Sequence, residues 1–305
     1  MEQKRRNFLG ACGRAVVLMA VAVLMAACGN KTSQEADEAD STAVETTAAT
    51  EEKHSAEYIQ QRIEGIYKPY ENPKYDASGM RQMEPRGPLD SLYLSSRYKA
   101  VLAKAEEVAG EDNIVLDCDH WTNSQDDNNF TCKVRKVRDI TDLTAVVEVE
   151  AVNFDKPYTI TLALLFERGD WYVDDFISEG GSSEKKMLED YIDDTIVEKI
   201  RTFYEDVVFY GKDELDIEGE VKKHCTPELA KRLKDNYDYD GEGYAIWDFR
   251  GKDWGPGDSD AHKVDNIKPL GNGNYKVEYR DGGQKMSCTV AVIVREGKIL
   301  FADIK

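Results

Sequence analysis

The apolar positions of this chain fall into two successive sets, each helical first and extended afterwards. Between Asp90 and Gly110, Leu92, Val101, Leu102, Ala105 and Val108 recur at the spacing of a helix face, with Asp90 placed to cap it and Gly110 to stop it. Leu188, Ile192, Ile196, Ile200, Phe203 and Val207 predict a longer helix ending at Gly211. Thr226-Pro227 then opens another, with Thr as cap, Pro in the first turn, and Leu229 and Leu233 on the inner face. After each helical part the period changes to two. Ala145, Val147, Val149 and Ala151 alternate, as do Tyr158, Ile160, Leu162, Leu164 and Phe166. A turn at Arg168-Gly169-Asp170 leads into Trp171-Tyr172-Val173. The second set mirrors this. Tyr275, Val277 and Tyr279 reach a turn at Asp281-Gly282-Gly283; Met286, Cys288, Val290, Val292 and Val294 come next, and Glu296-Gly297 leads into Ile299 and Phe301. Helices followed by a meander of antiparallel strands predict an α+β fold, each sheet burying one face. The body therefore divides into a first unit, residues 58–180, and a second, residues 181–305, built on one repeated plan.

Ahead of the body, the pattern is different. Lys4, Arg5, Arg6 and Arg14 precede an apolar run from Ala15 to Ala27, which at 13 residues is too short to span a bilayer as a helix. This is the layout of a secretory leader, residues 1–27. From Gly29 to Glu57 there is no Phe, Tyr, Trp, Leu or Ile, so residues 28–57 predict a disordered acidic tether. The chain has 305 residues and a net charge of −19, and losing the leader takes the charge to −22. Such a body repels nucleic-acid phosphates and does not favour flat docking on an anionic membrane surface. An apolar fraction of 41% with 10% aromatics is enough to build cores.

Val23-Leu24-Met25-Ala26-Ala27-Cys28 resembles a bacterial lipobox, with Met25 where Leu is commoner. The resemblance implies diacylglyceryl transfer to the Cys28 thiol and cleavage before it. Acyl chains add about 0.8 kcal/mol of membrane affinity per buried methylene. Arg5-Arg6-Asn7-Phe8-Leu9 is also similar to a twin-arginine signal. The early acids, such as Glu35 and Asp37, loosely resemble surface-export signals of Bacteroidota-type lipoproteins, and Asp40-Ser41-Thr42 resembles a short O-glycosylation motif; a solvated spacer accounts for both equally. The order of elements resembles the cone-shaped, cystatin-like fold of the nuclear transport factor 2-like superfamily. Both units are also similar to an uncharacterised domain of gut Bacteroidota lipoproteins. The residues concerned are Trp121 with Gln125-Asp126-Asp127, Cys225-Thr226-Pro227-Glu228-Leu229, the run from Tyr237 to Ala245, and Trp247-Asp248-Phe249-Arg250. These resemblances imply two tandem cone-like domains on a protein lipid-anchored to the outer membrane of the cell envelope, periplasmic or surface-exposed. They bring no catalytic residues.

The motifs of several enzyme classes are absent from the sequence: there is no Gly-x-Ser-x-Gly, no phosphate-cradling Gly-rich loop and no His-Glu-x-x-His. Its four histidines, His54, His120, His224 and His262, are too far apart for a zinc motif. Asn236, Asp238, Asp240 and Gly241 match the first half of a calcium loop, but position 12 is Trp247, so a polar loop is the competing reading and no cofactor is expected beyond a weak calcium site. Asp117, Asp119, His120, Asp126 and Asp127 flank a hairpin tip and read as a solvated loop, with acid–base work as the enzymatic alternative. Tyr237, Tyr239, Tyr244, Trp247, Phe249 and Trp254 crowd into 18 residues beside Arg250. They would line a glycan or peptide groove, or else plug the core. The ligand-binding candidates are thus Trp121, Asp126 and Asp127 in the first unit, and Tyr244, Trp247, Arg250 and Trp254 in the second. With Cys12 in the leader and Cys28 lipidated, Cys118, Cys132, Cys225 and Cys288 remain, of which Cys118 and Cys132 flank one hairpin and are feasible disulfide partners. The expected function is non-catalytic binding of a glycan, peptide or protein partner. The alternatives are an immunity-type inhibitor of a secreted enzyme and a carboxylate-dependent hydrolase or isomerase.

Overall fold

The computed structural model describes residues 52–71, 86–110, 113–126, 129–209, 215–237, 242–250 and 262–305. Helix α1 (Ala56–Glu71) places Ile59, Ile63 and Ile66, one face at helical spacing, fully inside the first core. Helices α2 (Arg86–Tyr93) and α3 (Ser96–Ala109) come next, then strands β1 (Thr131–Arg138), β2 (Thr144–Asn153), β3 (Lys156–Glu167) and β4 (Asp170–Ile177). The long helix α4 (Glu184–Phe203) ends in one wider π turn, Tyr204–Val208, where Tyr204 donates through its hydroxyl to the Phe249 carbonyl at 2.9 Å. Helices α5 (Ile217–His224) and α6 (Pro227–Asp235) and the short 3₁₀ turn Ile246–Arg250 precede β5 (Lys263–Gly271), β6 (Asn274–Asp281), β7 (Gln284–Arg295) and β8 (Lys298–Ile304).

The fold is α+β. Each set of four strands forms an antiparallel sheet in chain order, β1-β2-β3-β4 and β5-β6-β7-β8. The alternation in β2 buries Ala145, Val147, Val149 and Ala151 against α1 and its neighbours, and Val277, Val290 and Phe301 do the same in the second sheet. Each fully buried Val or Phe contributes roughly 1.5–3 kcal/mol of transfer free energy. Arg168-Gly169 and Glu296-Gly297 turn the two last hairpins with positive φ at both residues, the geometry that suits the twist of paired strands.

The duplication reaches the details. Register shifts fall between Ala163 and Leu164 in β3 and between Ala291 and Val292 in β7. Leu94 bridges Val173, and Cys225 bridges Phe301, both in parallel. The next residue in each case, Ser95 or Thr226, donates its backbone N–H to that same strand residue at 2.8 Å and caps the following helix, through Tyr98 N and Leu229 N respectively.

Three sequence-level expectations change. Asp90 is not the cap of a helix carrying Leu92: it lies inside α2, Ser95 caps α3, and the interruption between the two helices leaves Leu92 59% exposed. Helix α4 is not confined to one core. Leu188 packs with the first sheet's cluster, Ile196, Ile200 and Phe203 with the second, and Ile192 touches both. The described body also begins at Glu52, ahead of Tyr58. Trp171 Nε1 donates to the Lys53 carbonyl at 2.8 Å, and the His54 ring lies 4.5 Å from Phe166 and 5.2 Å from Trp171. Polar and backbone contacts of this kind leave no hydrophobic period to read.

Candidate functional site

The polar groups of the first unit converge on His120. The loop before β1 was expected to be solvated, but Asp119, His120 and Thr122 are buried. Asp119 accepts the Trp121 backbone N–H at 2.9 Å and the Tyr70 hydroxyl at 3.2 Å, which folds the loop inward. Asp90 Oδ1 accepts the Trp121 indole N–H at 2.9 Å and lies 3.0 Å from His120 Nε2. His120 Nδ1 is 3.6 Å from Glu184 Oε1, which also accepts the Tyr98 hydroxyl. Rings close over the imidazole: Phe176 stacks on it at 4.5 Å, with Trp121 edge-on at 5.1 Å and Tyr98 at 6.0 Å. Only 2% of His120 is exposed, so no face is left for a substrate. The cluster pins α2, the loop and the start of α4 together.

The structure places the remaining candidates individually. Trp121 is fully buried in the core. Asp126 is exposed, and its backbone carbonyl accepts from Ser124 and Asn153. Trp247 is half-buried and packs on Tyr237 at 5.4 Å, while Phe249 takes the fully buried position. Arg250, 7% exposed, binds Asp281 through two bonds of 2.8 and 2.6 Å, and burial, opposed by that guanidinium and then His262, leaves Asp281 below the ordinary carboxylate value. Asn236 donates through Nδ2 to Asp248 Oδ2 at 2.8 Å, and no cluster of metal-ligating side chains occurs among the described residues. Cys132 lies on β1 opposite Ala151, and Cys118 in the loop before it; both are half-buried. Cys28, Asp127, Trp254, Asp238 and Asp240 lie outside the described residues.

Tyr244 lines a cavity, and that cavity is the candidate site. Its volume is about 890 Å³. Helix α4 supplies Lys199, α5 supplies Lys222, Lys223 and His224, α6 supplies Lys231 and Lys234, and the β7–β8 turn supplies Arg295 and Lys298. Pro227, Ala230, Tyr244, Ile299 and Leu300 form apolar wall. A volume in this range suits a small organic ligand.

The ionic geometry is uneven. Lys222 pairs with Glu218, Lys231 with Asp235, and Glu220 is shared between His224 Nε2 at 2.9 Å and Lys223 Nζ at 3.6 Å. Lys234 Nζ lies 5.9 Å over the Tyr244 ring. Lys199, Arg295 and Lys298 have no ion pair among the described residues. Burial, then the Lys223 ammonium, holds Lys199 below the ordinary lysine value. Burial, then Lys199, holds the His224 imidazole down at about 4. Burial pushes the Cys225 thiol, also in the wall, up to about 12, so it is a poor nucleophile. Sequence reasoning missed Lys199, His224 and the turn cations because they belong to three separate elements; the local signal is Glu220 at helical spacing from His224.

No family model, no curated protein and no solved structure matches this chain.

Proposed function

We propose that this protein is a lipid-anchored envelope protein whose two sheet-bearing halves, each cone-like, form a non-catalytic binding module. The observation that carries this is the cavity of about 890 Å³ walled by Tyr244, aliphatic side chains and cations from four elements. Tyr244 and the aliphatic side chains offer contact area and the cations offer charge, while burial holds the one thiol in the wall high and so poorly nucleophilic. Anchoring through Cys28, with the segment ahead of Glu52 as spacer, would hold this module off the outer membrane.

The test is the thermal midpoint of the purified protein against neutral and charged saccharides, peptides and nucleotides. A ligand specific for the folded state at 100 times its dissociation constant adds about 2.7 kcal/mol, a shift of several degrees for a chain of this size. A shift with one class is expected. No shift with any class would overturn the small-ligand module.

A further inference from the structure

The cavity's charge runs against that of the chain. The whole protein carries −19, yet seven Lys and Arg residues line this one cavity. Setting against them the lining Glu296 and the ion-paired Glu218, Glu220 and Asp235 leaves a net charge of about +3, and Lys199, Lys234, Arg295 and Lys298 have no ion pair among the described residues. Helix dipoles account for part of the pattern. Lys222 and Lys223 sit in the last turn of α5 and Lys234 in the last turn of α6, where a cation is favourable without any ligand. They do not account for Lys199, half-buried just ahead of the last turn of α4, or for Arg295 and Lys298 on a hairpin turn. These three face the same cavity from two further elements and lack carboxylate partners among the described residues. A half-buried ammonium with only cations and one shared carboxylate nearby is an unfavourable arrangement that an incoming anion would relieve.

We propose, resting on the binding-module reading, that this cavity binds small organic polyanions: molecules carrying two or more phosphate, sulfate or carboxylate groups on an apolar or ring-bearing body. Two or more groups match that net positive charge and the arrival of its cations from separate elements. The body matches Tyr244, Ile299 and Leu300 in the wall. Lysines outnumber arginines in the wall, and an ammonium is a point charge without a planar fork, so the site discriminates by charge and spacing more than by the shape of the anionic group. Lys199 is the inner anchor.

The experiment is calorimetric titration of the purified full chain with ATP and a heparin-derived tetrasaccharide, against adenosine and maltotetraose as uncharged counterparts. Both anionic probes, or one of them, should bind, and binding should weaken when salt is raised past about 150 mM. The arm that binds tells phosphate from sulfate and carboxylate. Lys199→Met should lower the affinity about tenfold, the usual scale for a charge-assisted contact. It should not lower the thermal midpoint of the free protein, because it removes a repelled charge. The double substitution Lys234→Met, Lys298→Met should lower affinity further, and Lys133→Met on β1 should leave it unchanged. NMR titration of His224 should move to higher pH when the probe is bound, a response that a merely structural lysine would not give. Unchanged affinity in Lys199→Met and in the double variant would overturn the site. Tighter or equal binding of adenosine or maltotetraose would overturn the anion class and leave the binding module standing. No binding of any of the four would remove the polyanion proposal, and the thermal-midpoint panel of saccharides, peptides and nucleotides would decide whether the module goes with it.

Discussion

Protonation of His224 is opposed by its surroundings, which makes it the residue with the clearest pH signature. It is buried, Lys199 and Lys223 add repulsion, and Glu220 only partly compensates, so its folded value is about 4 against the ordinary 6.5. In the unfolded chain the imidazole takes its proton near 6.5. Between those values the unfolded state binds the proton and the folded state does not. The stability that neutral His224 contributes is therefore complete above 6.5, is lost as pH falls toward 4, and changes no further below that. Urea midpoints compared between about pH 7 and about pH 4.5 should fall less for His224→Gln than for the parent protein. An equal fall in both would show that other groups carry the acid sensitivity.

At the scale of elements, the two halves offer an internal comparison. Ser95 and Thr226 occupy equivalent caps, but Ser95 is fully buried and its hydroxyl also donates to Asp174 Oδ1 at 2.6 Å, where Arg97 and Lys185 converge. Thr226→Ala should cost about 1 kcal/mol, the loss of one cap bond. Ser95→Ala should cost about 2 kcal/mol, because a buried bond to a carboxylate goes as well. Denaturant midpoints with unchanged slopes would measure both, and a Thr226 effect equal to or larger than the Ser95 effect would contradict the role given to Asp174. The same scale explains which elements the pattern reveals. The central strands β2, β3, β6 and β7 bury one face, so their period of two is plain. Strands β1 and β5 are sheet edges rich in charge, with Val134 buried among Lys and Arg in β1 and Pro269 near the end of β5, and they carry no comparable alternation.

For the whole molecule, the informative quantity is where the charge lies rather than how much there is. A net −19 keeps the protein away from polyanions at long range, while screening confines that field to about 8 Å at physiological salt and leaves the cavity's local potential to act at contact. The proposed anchoring through Cys28 belongs to the same scale. Cys28→Ser should move the protein from the membrane fraction to the soluble fraction when it is expressed with its own leader. Membrane retention of that variant, with no acyl label lost, would overturn the lipoprotein reading.

The sequence by itself determined the α+β class, the repeated order of helices and strands, the hairpin turns at Arg168-Gly169 and Glu296-Gly297, and the Thr226-Pro227 helix start. All of these rest on interactions within a few residues of chain, so spacing alone exposes them. It also put Tyr244 among its candidates through the local density of rings. Tertiary structure decided the rest. It turned Asp90 from a cap into the acceptor for Trp121 and His120, placed Trp121 in the core, shared α4 between two hydrophobic clusters, and committed Arg250 to Asp281. It also gathered Lys199, His224, Lys234 and Lys298 around one cavity. Those lysines lie on surfaces that, taken one element at a time, are ordinary solvated faces. Their meaning arises only where separate elements bring like charges together with too few carboxylates to balance them, and no period along the chain records that meeting.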